Sequence, residues 1–226
     1  LDHPEYEGKI IDIYYPEDYD FEKEAQSAHG SAVTSILAGD TIGTAPGVEI
    51  YYAVASGGTD SKHYAEGIRW VIEKNKELPE DDQIRIISIS AAPSGEGILF
   101  EKNQELYEEA VEEALNSGII VIDATGNQRT GFVIHGFYDP KDPENVLAMR
   151  IGDPADPTNS LYLERRVLIV PAAYRTVAEM YFEDYPSYRY SARGGKSLAI
   201  PYASGILALG WQVRPELSGE EIIEIL

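Results

Sequence analysis

The sequence contains no cysteine, only two methionines and two tryptophans, and four histidines among 226 residues. Without cysteine there can be neither disulfides nor thiolate metal sites, so folding has to rest on the core, and the redox compartment is left open. No apolar run approaches the roughly 20 residues needed to span a bilayer, and Leu1-Asp2-His3-Pro4 does not read as a signal peptide. Positive charge is scarce as well: 18 Lys and Arg stand against 39 Asp and Glu, a formal net charge of −21. Nucleic-acid phosphates and anionic membrane surfaces would be repelled by such a chain, whereas basic or neutral partners are permitted. The acid occurs in runs such as Glu101–Glu113 and Glu216–Glu224, which read as solvated helix faces.

What is present describes an ordinary globular protein. With 43% hydrophobic and 25% charged residues, the chain is long enough for a single domain over residues 1–226 with a substantial core. No internal repeat, linker or low-complexity segment interrupts it.

Strand and helix patterns alternate along the first half. Lys9–Tyr15 reads as a strand, followed by an acidic loop, Pro16–Glu24. A short helix of small residues opens at His29-Gly30 and ends at Gly39. Glu49–Ala55 is a second strand, stopped by Ser56-Gly57-Gly58, and Tyr64, Ile68, Val71 and Ile72 give Lys62–Lys76 helical spacing. Arg85–Ser90 is a third strand, Glu101–Ser117 an amphipathic helix closed by Gly118, and Ile119–Ala124 a fourth strand. Near-continuous β-branched strands alternating with helices predict an α/β fold, a doubly wound, mostly parallel sheet covered on both faces to make three layers. Sites in such sheets lie beyond the carboxyl ends of the strands.

Residues 128–193 are less regular. Val146–Ile151 and Leu161–Ala172 read as strands, and Tyr181–Tyr190 as a tyrosine-rich loop. A buried helix then follows Gly194-Gly195-Lys196-Ser197, with an almost unbroken run of apolar and small residues from Leu198 to Val213, and a short acidic helix, Gly219–Leu226, ends the chain.

Three polar residues stand at junctions of this framework. His29 opens a helix, Asn127 follows the fourth strand, and Ser197 opens the buried helix. Ser197 taken alone reads as a plain N-cap. Together the three are chemically complementary. A neutral imidazole can accept a serine proton, while a side-chain amide and a backbone N–H at a helix N-terminus can hold an oxyanion. That combination describes acyl transfer. Elsewhere, His63 and His135 read as surface or structural residues, and no two histidines have the spacing of a metal pair, so neither a metal nor a cofactor is expected. Asp123 reads as a hydrogen-bonded structural residue. Ser56-Gly57-Gly58 lacks the company of any phosphate-binding motif.

Five segments carry a resemblance. His29-Gly30-Ser31, Gly43-Thr44-Ala45-Pro46 with Ile50-Tyr51-Tyr52-Ala53-Val54, Ser88-Ile89-Ser90, Ala124-Thr125-Gly126-Asn127 and Gly195-Lys196-Ser197-Leu198-Ala199-Ile200-Pro201 resemble, in order, the signature blocks of the subtilisin-like serine proteases, the subtilases. The resemblance runs from about His3 to Leu226. It implies a subtilisin-like fold and hydrolysis of peptide or protein substrates, with Ser197 as nucleophile, His29 as general base and Asn127 as oxyanion donor. Ser90, Ala91, Ala92 and Gly126 would meet the substrate backbone. Family habit favours export, while an acidic chain without cysteine also suits the cytoplasm.

The departures from the family pattern are specific. The family's aspartate precedes a His-Pro-acid step that His3-Pro4-Glu5 matches, so the triad acid is expected upstream of Leu1 and the chain is expected to be trimmed at both ends. Ala32 replaces the family's second histidine, Leu198 its methionine, and Lys196 its threonine before the serine. Lys196 puts a long cation beside the nucleophile, where it either assists an oxyanion or obstructs the cleft. The stretch from His29 to Pro46 is too short for the loop that binds calcium in many secreted members, and no calcium is expected there. The alternative reading is a catalytically inactive relative that binds peptides or a partner protease. A third reading, a nucleotide-binding doubly wound domain, stands only if the ordered blocks are coincidence.

Overall fold

The β-branched runs form short strands, and the amphipathic stretches between them form helices, in alternation over the first half of the chain. The structure is a computed structural model that describes residues 3–20, 28–55, 59–94, 100–124, 132–135, 166–179, 185–191 and 195–225. In it β1 is Ile10–Tyr14, α1 Ala28–Ala38, β2 Ile50–Ala53, α2 Lys62–Glu77, β3 Ile86–Ile89, α3 Gln104–Asn116 and β4 Ile120–Asp123. Then follow β5 (Phe132–His135), β6 (Arg166–Ile169), β7 (Arg175–Ala178), β8 (Tyr188–Ser191), α4 (Lys196–Val213) and α5 (Gly219–Ile225). Hydrogen bonds join β1 to β2, β3 to β4 and β5 to β6 in parallel, and β7 to β8 antiparallel. A parallel pair needs a crossover, and α1 and α3 supply it for the first two.

The environment of β4 defines the layers. All four of its residues are buried. Ile120 and Ile122 enter a cluster with Ala199, Ile200, Ala203, Leu207 and Trp211 of α4. Val121, with Ile119 just before the strand, enters a second cluster with Ile68 of α2 and Tyr107, Ala110 and Val111 of α3. Successive strand side chains point to opposite faces, so β4 lies between two helical layers and the expected three-layer α/β arrangement holds. Burying an Ile or Leu side chain stabilises by about 1.5–3 kcal/mol, and these two clusters secure the layers in a chain that has no disulfide.

Several boundaries differ from the sequence reading for identifiable reasons. The third helix begins at Gln104 rather than Glu101, because Glu101 and Lys102 are engaged elsewhere: Glu101 N–H donates to the Thr59 carbonyl (2.8 Å), and Ser61 N–H donates to the Lys102 carbonyl (3.0 Å). Gly118 ends that helix as expected, at φ +79°, where a side chain would be strained. The first three turns of α4 are buried on nearly every side, but Leu209 and Val213 are exposed, on the side of the helix away from Leu207 and Trp211. Part of the tyrosine-rich stretch is strand β8, paired with a β7 that was not expected. The alternation there is carried by Tyr and Arg and reads as polar. The Val146–Ile151 strand lies outside the described residues, as does the part of Leu161–Ala172 that precedes β6.

Candidate active site

Helix α1 is built from small residues, which lets it pack closely on its neighbours. A Cβ on Gly30 would stand 3.0 Å from the Tyr52 hydroxyl of β2. Ser35 accepts from the Ala178 N–H (3.0 Å) and donates to the Ala32 carbonyl (2.8 Å), tying α1 to β7. Ser31 donates to the Glu179 carbonyl at 2.8 Å. These contacts fix the first turn of α1, and with it His29. The His29 Nε2 lies 3.3 Å from the carbonyl oxygen of Ser90, at the carboxyl end of β3. A carbonyl has no hydrogen to give, so a hydrogen bond here requires the hydrogen on Nε2.

Helix α4 is preceded by an extended Gly195 (φ −169°, ψ 176°). The Gly195 carbonyl accepts from the N–H groups of Leu198 (2.9 Å) and Ala199 (3.2 Å). Ser197 is half-buried at the second helical position, where its own N–H has no carbonyl within the helix to pair with. Pro201, four residues on, has no N–H and cannot bond the Ser197 carbonyl. The backbone at Ser197 is thereby released from the helical ladder on both sides.

Packing brings the two helices' first turns to one place. Leu198 and Tyr202 of α4 pack against the cluster of Ala32, Ile36 and Val177. Ala32 lies one turn beyond His29, and Leu198 directly follows Ser197. The carboxyl ends of β3 and β4 are also joined, with Ala124 N–H donating to the Ala91 carbonyl at 2.8 Å. Ser90, Ala91 and Ala92 are half-buried along that edge.

A profile of the Subtilase family matches residues 2–226. The chain belongs to the subtilase family. It is 26% identical over 260 residues to serine protease AprX of Bacillus subtilis strain 168, covering 99% of this chain and 57% of that protein. It is 26% identical over 212 residues to subtilisin DY of Bacillus licheniformis, covering 91% of this chain and 70% of that one. Among solved structures, a cold-adapted subtilisin-like serine proteinase superposes with a TM-score of 0.65 at 17% identity, over 100% of this chain and 76% of the other. Sphericase gives 0.64 at 18% identity, over 100% and 77%. These likenesses establish the subtilisin-like α/β fold and, through the family, a serine-protease lineage.

Of the residues expected in the active site of this subtilase, the structure joins His29 to Ser90 and packs the turn bearing Ser197 beside that bearing His29. Gly126 and Asn127 lie outside the described residues. Asp123 has the structural role expected of it. It is buried, and Tyr107 donates its hydroxyl to Oδ2 at 2.6 Å. Tyr107 sits at a core position of α3, a placement that gives no sign of a polar role in the sequence.

The His3-Pro4-Glu5 step forms a knot at the start of the chain. The buried His3 ring accepts from the Glu5 N–H through Nδ1 (3.2 Å), lies 3.2 Å from the Ser187 carbonyl through Nε2, and meets Tyr188 edge-on. Burial pushes the Glu5 pKa up, but hydrogen bonds from the Thr41 hydroxyl and N–H, the Tyr188 hydroxyl and the Ile42 N–H outweigh it and hold the carboxyl below its ordinary range. Among the described residues no helix is long and apolar enough to cross a membrane.

Proposed function

We propose that this chain is the larger part of a serine endopeptidase domain whose triad aspartate lies outside it. Ser197 Oγ attacks the scissile carbonyl carbon while its proton passes to Nε2 of His29. The oxyanion so formed is held by the Ser197 N–H at the start of α4 and by the Asn127 side-chain amide. As the C–N bond breaks, His29 returns the proton to the leaving amine, and water then releases the acyl group by the reverse sequence. Ser90, Ala91, Ala92 and Gly126 offer backbone to an extended peptide substrate.

The observation that supports this reading is that Leu198, next to Ser197, packs against the cluster that holds Ala32, one turn from His29, while His29 Nε2 lies 3.3 Å from the Ser90 carbonyl. One observation favours the alternative, an inactive subtilase-like protein that binds peptides or a partner protease. The Nε2 that has to accept the serine proton is directed at the Ser90 carbonyl.

Fluorophosphonate labelling separates the two, on this chain and on one extended at its N-terminus through an Asp-Thr/Ser-Gly segment, with the adduct located by peptide mass spectrometry. An adduct on Ser197 in the extended protein, absent after Ser197→Ala, is the result expected. Folded extended protein that takes no label would establish the inactive relative instead.

A further inference from the structure

Three side chains that the protease reading does not use converge on one point away from His29 and Ser197. Asp18 lies in the loop after β1, and His63 and Glu66 lie on the first turns of α2. One donor atom from each, an imidazole nitrogen and two carboxylate oxygens, all fall within 4.8 Å of one another. His63 Nε2 is 2.8 Å from Asp18 Oδ1, across 45 residues of sequence. The three-residue spacing of His63 and Glu66 puts them on one face of the helix.

A cation already stands between the two acids. Lys62 Nζ is 2.8 Å from Asp18 Oδ2 and 3.5 Å from Glu66 Oε1. The carboxylates are thus arranged around positive charge in the folded chain. Lysine supplies only charge, however, and the His63 imidazole pairs with Asp18.

We propose that Asp18, His63 and Glu66 bind a divalent transition-metal ion, with Zn²⁺ the best match. A nitrogen donor beside two carboxylates suits zinc, whereas calcium and magnesium prefer all-oxygen sets. Zinc bonds of about 2.0–2.2 Å place tetrahedral donors about 3.4 Å apart, a small contraction from the observed spread. His63 gives up its Nε2 hydrogen bond to Asp18 and coordinates through that nitrogen, with its hydrogen on Nδ1. Lys62 swings out to solvent, and water completes the coordination on the open side.

The ion would pin the loop after β1 to the start of α2. That start is anchored in turn to the segment that follows β3, because the buried Ser61 donates its hydroxyl to the Pro93 carbonyl at 2.5 Å. The metal would therefore stiffen the segment immediately after Ala92, whether or not the chain is a working protease.

The test is titration of the metal-free chain with Zn²⁺ by calorimetry and with Co²⁺ by visible absorption. One equivalent is expected to bind and to raise Tm in proportion to the logarithm of free metal. His63→Ala should weaken binding by about a hundredfold or more, since even loss of an outer partner costs 10–100-fold. Lys62→Met keeps every ligand, removes the competing ammonium, and should tighten binding several-fold. His29→Ala should leave the Zn²⁺ affinity unchanged. No stoichiometric binding by either the wild-type chain or Lys62→Met would overturn the proposal. So would Zn²⁺ affinity that survives His63→Ala or is lost with His29→Ala, or a preference for Ca²⁺ over Zn²⁺.

Discussion

The Nε2 of His29 faces the carbonyl oxygen of Ser90 at 3.3 Å. This contact is a hydrogen bond only in a state that carries hydrogen on Nε2, because only an N–H can donate to a carbonyl. A general base for Ser197 needs the opposite state, with the hydrogen on Nδ1 and the Nε2 lone pair on the serine, which in serine proteases a carboxylate enforces. Nitrogen-15 NMR of this chain is expected to show His29 as the Nε2–H tautomer when neutral. In a protein that supplies the triad aspartate, the hydrogen should move to Nδ1. Finding Nδ1–H in the present chain would show that another group already orients the ring.

In an extended, active protein, Ser197→Ala and His29→Ala should each abolish peptidase activity. Loss of either residue in subtilisin costs ~2 × 10⁶ in kcat, and a similar loss is expected here with little change in Tm. Activity retained in Ser197→Ala would remove the serine from the mechanism.

Tyr107→Phe deletes the hydroxyl that donates to the buried Asp123. The ring still fills its place between α2, α3 and β4, so the change isolates the hydrogen bond. Weakening the support of a buried carboxylate costs about 1–3 kcal/mol, to be read as a lower urea midpoint with unchanged slope. A shift below a few tenths of that would mean that other partners carry Asp123 alone.

Glu5 should make stability depend on pH. Its folded pKa is lowered, because hydrogen bonds from Thr41, Tyr188 and Ile42 to the carboxylate outweigh the cost of burial. A depressed carboxyl contributes stability that is complete above its unfolded value, about 4.3, and is lost as pH falls through the folded value. Tm should therefore drop more between pH 6 and pH 3 in the wild type than in Glu5→Gln. The variant should be less stable at pH 6. Parallel pH profiles would rule Glu5 out as the source.

Gly205→Ala tests how closely α4 approaches the turn at Thr44. The new Cβ would stand 2.7 Å from Thr44 Cβ and 2.9 Å from Cγ2, contacts that require the backbone to move. Alanine gains up to about 1 kcal/mol in helix propensity, while overpacking costs about 1–3 kcal/mol. Sterics should win, and Tm should fall. At Gly210 the nearest atoms are the tip of Ile222, which can turn aside, so Gly210→Ala should cost less.

How far the sequence could be read varied with the kind of signal. The β-branched runs and the helical spacing from Lys9 to Ala124 located four strands and three helices to within a few residues, because each is set by its own local pattern. The ordered blocks around His29, Ser90 and Ser197 were legible for the same reason, since glycine, serine and proline at fixed offsets dictate local backbone. Strands β7 and β8 escaped because their alternation is carried by Arg, Tyr and Thr, and only pairing with each other and packing on α1 makes them strands.

The sequence by itself determined the fold class and the family, both of which are written in short stretches of chain. Tertiary structure alone decided which partner each polar group takes: His29 on Ser90, Tyr107 on Asp123, Glu5 on Thr41 and Tyr188, and Asp18 beside His63 and Glu66. Most of these pairs are far apart in sequence. A hydrogen bond or an ion pair forms only where packing has already brought two distant backbones within about 3 Å, and no local pattern records that distance.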